Sequence, residues 1–249
     1  MKRLYNRVKD KHDPRDHKYS AAAPIDIPDQ IDLRPGCSPV EDQGELGSCT
    51  AHAIVGALEY DENKQREQPI RLSRLFVYYG ERGLEGTLTE DSGAEIRDGI
   101  KVIAQLGTCN ETLCPYVEEN FKLKPSLEAY NDALKHKAIA YRRVNQTEDD
   151  LLHALASGYP IAFGIYVYDS LESDEVAASG LVPMPDVNKE QCLGGHAVLI
   201  VGYDRIKRLF IIRNSWGSGW GENGYFYLPF DYVLSPDLAE DFWSVTSIE

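Results

Sequence analysis

Two apolar runs around a short polar connector constrain this chain more than any other feature. Gly194-Gly195-His196-Ala197-Val198-Leu199-Ile200-Val201-Gly202-Tyr203 comes first, then Asp204-Arg205-Ile206-Lys207-Arg208, then Ile211-Ile212-Arg213-Asn214-Ser215-Trp216-Gly217. β-Branched and aliphatic runs bounded by a polar turn read as a β-hairpin. Folding that hairpin about residue 206 sets His196 opposite the stretch from Asn214 to Trp216. An imidazole and a carboxamide thus become neighbours by local geometry alone.

A thiol far upstream gives that pair a chemical meaning. Cys49 lies in Asp42-Gln43-Gly44-Glu45-Leu46-Gly47-Ser48-Cys49-Thr50-Ala51, where a glycine-containing loop runs into a helical pattern. At a helix start, unpaired N–H groups and the positive end of the dipole favour the thiolate, which is the nucleophile. A merely structural cysteine needs no such address. His196 follows Cys49 by 147 positions, within the roughly 130–150 that separate a thiol nucleophile from its partners in one large class of hydrolases.

In its order of Gln43, Cys49, His196 and Asn214, and in its blocks Asn214-Ser215-Trp216-Gly217 and Gly219-Trp220-Gly221-Glu222-Asn223-Gly224-Tyr225, the chain resembles the papain-like cysteine peptidases (family C1). The likeness runs from about Ile31 to the C-terminus. Leu46-Gly47-Ser48-Cys49-Thr50-Ala51 is closer to bacterial and other non-lysosomal branches than to plant papain or the cathepsins. Two departures stand out. Leu46 replaces the cysteine common three residues before the nucleophile, and Glu90-Asp91-Ser92-Gly93 replaces its Cys-x-Gly-Gly partner segment, so that disulfide is absent at both ends. Thr50 stands where a tryptophan commonly follows the nucleophile.

The resemblance implies acyl transfer through a thioester. Cys49 attacks the scissile carbonyl, and His196 serves as base and then as acid to the leaving amine. Asn214 orients His196, Trp216 shields that bond from water, and the Gln43 amide joins the Cys49 backbone N–H in an oxyanion hole. The thiol pKa is expected to fall from about 8.5 to somewhere between ~3.5 and 7.5. Ser92, Gly93 and Ala94 are expected to bond an extended peptide along the cleft, as an added strand does. Gly194 and Gly195 leave room on the facing wall. An apolar side chain one residue before the scissile one is the family's usual preference. The chemistry calls for no cofactor and no metal, and the partner is a peptide or protein substrate.

The pattern of elements agrees with an α+β fold of two lobes about a cleft. Helical periodicity covers 49–67, with Ile54, Val55 and Leu58 on one face, and 94–106 before a Gly107 stop. From about residue 138, strand-like runs follow at 138–144, 160–168, 196–204, 209–214, 225–229 and 241–248. One helix interrupts them, opened by Thr147 with Asp150 and closed by Gly158. The expected organisation is a helical lobe (about 40–137) and a β-rich, barrel-like lobe (about 138–249) within a peptidase domain spanning 29–249.

Charge sets limits on partners. The net charge of −14 leaves no large basic surface for nucleic acid, and no apolar stretch of about 18 residues offers to span a membrane. The basic N-terminus lacks the apolar segment of a signal peptide, so a cytoplasmic location is the default expectation, with export by another route left open. The first twenty residues hold seven Lys and Arg against three Asp, a formal +4, which leaves −18 for the rest of the −14 chain. A basic arm should be attracted to an acidic body. Residues 1–28 are therefore expected to lie across the cleft and restrict access like a short propeptide; a solvated tail is the alternative.

Other groups read as structural. His52, three positions after Cys49, would have to point backward to act as base and is assigned to packing; His153 reads as a helix residue and His136 as solvated. Cys109 and Cys114 are equally consistent with a disulfide and with two thiols, and their spacing with Cys192 is poor for zinc. Two rival functions remain: a transglutaminase-like or transpeptidase enzyme sharing the thioester, and a catalytically silent peptide-binding homologue. Gln43 and the Asn214–Gly217 block favour hydrolysis over the first. The presence of all four catalytic positions opposes the second.

Overall fold

The computed structural model describes residues 3–14, 16–19, 26–64 and 69–246. In chain order the elements are β1 (Gln30–Asp32), α1 (Cys49–Asn63), α2 (Arg74–Glu85), α3 (Ile96–Gln105), α4 (Leu127–Ala133), β2 (Ala140–Arg143), α5 (Glu148–Ala156), β3 (Ile161–Tyr168), α6 (Asp174–Ser179), β4 (Cys192–Asp204), β5 (Leu209–Arg213), β6 (Tyr225–Pro229), α7 (Phe230–Leu234) and β7 (Ala239–Thr246). The architecture is α+β: helices dominate the first half, and an antiparallel sheet of order β2-β7-β3-β4-β5-β6 forms the second, with β1 added to β4.

Strand β4 organises the molecule. Its apolar run is unbroken because both faces are covered, a pattern that alternation alone would not give. Val198 and Ile200 face one core with Phe163, Ile165 and Val167 of β3 and Leu151 and Leu155 of α5. Ala197, Leu199 and Val201 face a second core built on Ile54, Val55 and Leu58 of α1 and Ile100 and Ile103 of α3. The expected hairpin is present: β4 pairs antiparallel with β5, Leu199 against Arg213 and Ile200 against Ile212, with a bulge before Gly202.

Helix α1 lies wholly inside, its residues 49–62 all buried. Alanine and glycine on it let it approach the sheet closely. Its most deeply buried carboxylate, Glu59, is satisfied by the Arg74 guanidinium at 2.5 and 2.6 Å, by the Leu72 N–H and by Ser38. Helix α5 begins at the expected cap, where Thr147 Oγ1 accepts the Asp150 N–H, and stops at Gly158, which takes a left-handed φ of 80°.

Some boundaries and assignments differ from expectation. Helix α1 ends at Asn63, and residues 65–67 of the anticipated helix lie outside the described residues, as do 247 and 248 of the last strand. Helix α2 was not anticipated, although Ser73 caps it and Gly86 closes it with φ 76°; nor were α4 and α6, capped by Ser126 and Ser173, or the short α7 and three-residue β1. His136 is buried and bonds the Glu62 carboxylate at 3.0 Å rather than facing solvent, because the turn after α4 folds back onto α1. All five cysteines are free, Cys109 and Cys114 included. Among the described residues no side-chain cluster suits a metal ion, and no helix is long and apolar enough to cross a membrane.

Candidate active site

Cys49 is the first residue of α1 and has no solvent exposure. The loop before it is clipped to the segment leaving β5: Gln43 N–H donates to Ser215 O at 2.9 Å, and Gly217 N–H donates to Glu41 O. Asp91 fixes the last turn of that loop by accepting the Gly47 N–H at 3.0 and 3.1 Å. The backbone N–H groups of Ala197 and Thr50 lie on the side of the sulfur and favour its thiolate form. Cys49 therefore sits against the residue that follows His196.

His196 projects from β4, its backbone paired with Ile165 of β3. Its Nε2 lies 2.9 Å from Asn214 Oδ1. The Ser215 N–H donates to the same Oδ1 at 2.9 Å, which orients the amide, since an oxygen and not an NH2 must face that donor. Asn214 Oδ1 can then only accept from Nε2–H, so the neutral ring carries its lone pair on Nδ1. That Nδ1 is buried with no hydrogen-bond partner among the described residues. Trp216 stacks on the imidazole, centroids 4.9 Å apart and planes 20° apart, with Trp220 edge-on behind it.

The Gln43 side chain joins the same network. Its Oε1 accepts the Ser215 hydroxyl at 2.5 Å, and one N–H of Nε2 donates to Leu46 O at 2.9 Å, which leaves the second N–H. Ser215 thus ties Gln43 to Asn214 through its N–H, carbonyl and hydroxyl, a role the sequence reading did not assign although the residue lies inside the Asn214–Gly217 block. His52 is buried over Tyr116 at 5.0 Å, its Nδ1 3.0 Å from Ser48 O, away from any role as base.

The residues expected to line a substrate path carry the N-terminal arm. Arg7 N–H donates to Gly195 O and Gly195 N–H to Tyr5 O, both at 3.1 Å, while Val8 N–H donates to Ala94 O at 3.0 Å. Asn6 Nδ2 reaches Asp91 O at 3.0 Å. A Cβ at Gly93 would collide with the Asn6 carbonyl, and one at Gly194 with that of Tyr5; glycine is required for this approach. The Ser92 hydroxyl bonds Thr87 Oγ1 at 2.7 Å. Trp216 carries the Arg3 guanidinium 4.1 Å above its ring. Tyr5 lies edge-on to both His196 and Trp216, each at 6.2 Å.

Further along, the arm is anchored by charge. Arg7, 1% exposed at its side chain, pairs with Glu240 at 2.7 Å and Asp241 at 3.0 Å; Lys9 also pairs with Glu240. Asp10 accepts the Trp243 indole N–H at 2.8 Å and the Arg97 N–H at 3.0 Å, and Asp16 pairs with Arg97. Residues 17 and 19 bond the backbone of Arg143 on β2. Residues 1, 2, 15 and 20–25 of the arm lie outside the described residues.

Burial governs the protonation of the pair, and its direction is opposite to the expected low thiol pKa. Burial pushes the Cys49 thiol up to about 11, against the N–H groups that favour the thiolate and the nearby Arg7 charge. Burial likewise lowers His196 to about 4, opposed by its bond to Asn214 and assisted by Arg3 and Arg7. In this covered state the pair is a neutral thiol beside a neutral imidazole.

Known proteins resemble the whole arrangement. The sequence pattern of the papain family of cysteine proteases matches residues 27–233. An uncharacterized peptidase C1-like protein of Acanthamoeba polyphaga mimivirus is 45% identical over 216 residues, which are 83% of this chain and 69% of that protein. Mouse cathepsin K is 32% identical over 209 residues, 80% of this chain and 59% of its own length. Among solved structures, xylellain, a cysteine protease from Xylella fastidiosa, superposes with a TM-score of 0.91 at 39% identity, covering 98% of this chain and 96% of that one.

Proposed function

The chain belongs to the papain family of cysteine proteases, and on that footing we propose that it hydrolyses peptide bonds through a Cys49 thioester and that residues 1–28 hold it latent. Cys49 Sγ attacks the scissile carbonyl carbon as its proton passes to His196 Nδ1. The C–N bond of the tetrahedral intermediate then breaks, and the imidazolium protonates the leaving amine. Water, deprotonated by His196, attacks the thioester; the acid product leaves and the thiol is restored. The Cys49 N–H and the second N–H of the Gln43 amide stabilise the oxyanion, where one donor contributes about 2.7–4 kcal/mol.

The observation that carries this reading is the oriented histidine: Nε2 committed to Asn214 at 2.9 Å and Nδ1 buried without a partner among the described residues, next to the residue whose N–H favours the Cys49 thiolate. Latency is supported by competition for the same groups. An extended substrate needs the Gly195 N–H and carbonyl and the Ala94 carbonyl, all of which the arm occupies. It also needs access to Cys49, which has none.

Intact-mass labelling with an epoxysuccinyl peptide tests both parts. We expect slow modification of the full chain, fast modification after trimming of residues 1–28, a single adduct on Cys49, and none in Cys49→Ala. Equal labelling with and without the arm would refute latency. A folded, trimmed chain that never reacts would refute the catalytic reading.

A further inference from the structure

The pocket under the arm is built around a guanidinium. Glu240 and Asp241 of β7 form its floor, Tyr166 of β3 stands at its side with the Arg7 Cζ 5.7 Å from the ring centroid, and Gly164 and Gly195 make room. A Cβ at Gly164 would strike the Arg7 guanidinium itself. Such a glycine, in the middle of a strand where a side chain would otherwise stabilise the sheet, marks a site kept open for a close visitor.

The two carboxylates differ in what remains to them once Arg7 withdraws. Asp241 keeps the Arg143 guanidinium of β2 at 2.8 Å. Among the described residues, Glu240 draws its cations, Arg7 and Lys9, from the arm, and its other side-chain partner is the Tyr166 hydroxyl at 2.8 Å. A part-buried carboxylate stripped of its cations is costly and will recruit another. The planar fork of arginine suits this floor better than the point charge of lysine.

From this we propose that Glu240 determines specificity: the pocket takes an arginine side chain of the substrate, one or two residues ahead of the cleaved bond, in the place Arg7 now fills. The position follows from the backbone of Arg7, which is bonded to Gly195, the residue adjoining His196. The proposal rests on the peptidase reading for its location in the cleft and replaces the apolar preference usual for the family. Arg7 is then a built-in occupant of the specificity pocket.

The test separates binding from chemistry and uses the full chain with Arg7→Ala, which vacates the pocket. In an Arg7→Ala/Cys49→Ala chain, calorimetry compares short blocked peptides carrying arginine, citrulline or leucine at the two positions. Citrulline keeps the shape and removes the charge. A charge-assisted pair predicts arginine binding tighter by about 10- to 100-fold, and Glu240→Gln should erase the difference. Equal affinities, a leucine preference, or an arginine preference indifferent to Glu240→Gln would each overturn the proposal. With Cys49 restored, hydrolysis should follow the same order. Arginine-selective binding without hydrolysis would leave the pocket standing and defeat the peptidase reading; hydrolysis without selectivity would do the reverse.

Discussion

The arm buries two neighbouring patches that respond in opposite ways. Around Cys49 and His196 burial removes charge: the thiol rises to about 11, the imidazole drops to about 4, and both stay neutral. Around Glu240 the charge is kept: burial alone would raise this carboxyl, but Arg7, Lys9 and the Tyr166 hydroxyl hold it below its ordinary value. A titratable pair with no counter-charge neutralises; a carboxylate with cations in bonding range stays ionised. The arm covers the first patch and is held in place by the second.

The sharpest contrast comes from uncovering the first patch. A thiol with a pKa near 11 is ionised about once in 10⁴ at pH 7, against a few per cent for an ordinary thiol. Trimming residues 1–28 should raise the alkylation rate of Cys49 by about a hundredfold or more and move its pH profile toward neutrality. An unchanged profile would mean that the arm does not set the protonation of the pair.

Attacking the second patch should have a smaller effect in the same direction. Arg7→Ala removes the cation shared by Glu240 and Asp241, and breaking such a buried pair costs about 3–5 kcal/mol. The contacts of Asp10, Asp16 and the backbone of residues 17–19 remain, so Cys49 labelling should accelerate to a rate between those of the full and trimmed chains. Hydrogen exchange at Val8 and Gly195 should accelerate with it. Labelling as slow as in the parent chain would show that Arg7 is a bystander.

The smallest effect concerns pH, where the patches oppose each other. Docking lowers His196 from 6.5 to about 4, so protonating it as pH falls through that window disfavours the docked arm. Docking raises Asp10 from 3.8 to about 6, chiefly by burial and then by the charge of Asp241, against its contacts with Arg97, Trp243 and Arg143. That stabilisation is full below 3.8 and fades as pH rises through 6. The shifts are comparable and opposite in sign, so docking should vary little between pH 4 and 6.5. Asp10→Asn removes one side of the balance: labelling of Cys49, normalised to the trimmed chain, should then rise as pH falls from 6.5 to 4. A flat profile in that variant would break the comparison.

Much of the site was legible because its parts are local. His196 and Asn214 belong to one hairpin, and a register of residues is enough to bring them together. Cys49 announced itself by a loop running into a helix, and α5 by Thr147 and Gly158 at its ends. Ser215 was within reach of the same reasoning, lying between two residues already singled out. Asp91, Glu240 and Asp241 were not. Each acts on a segment distant in sequence, Gly47 for the first and residues 7–10 for the others, and an acidic residue in an acidic chain looks like solvated surface until its partner is known.

The sequence by itself determined the candidate reacting groups, their order and the two-sided apolar strand that seats them, since these depend on residue type and on the short-range periodicities of helix and strand. Only the tertiary structure decided their state. Burial and the placement of charges are properties of what lies across a residue, not beside it in the chain. Burial pushes the expected thiolate toward a neutral thiol, and the meeting of Arg7 with Glu240 places a buried ion pair where the sequence had only a basic arm and an acidic body.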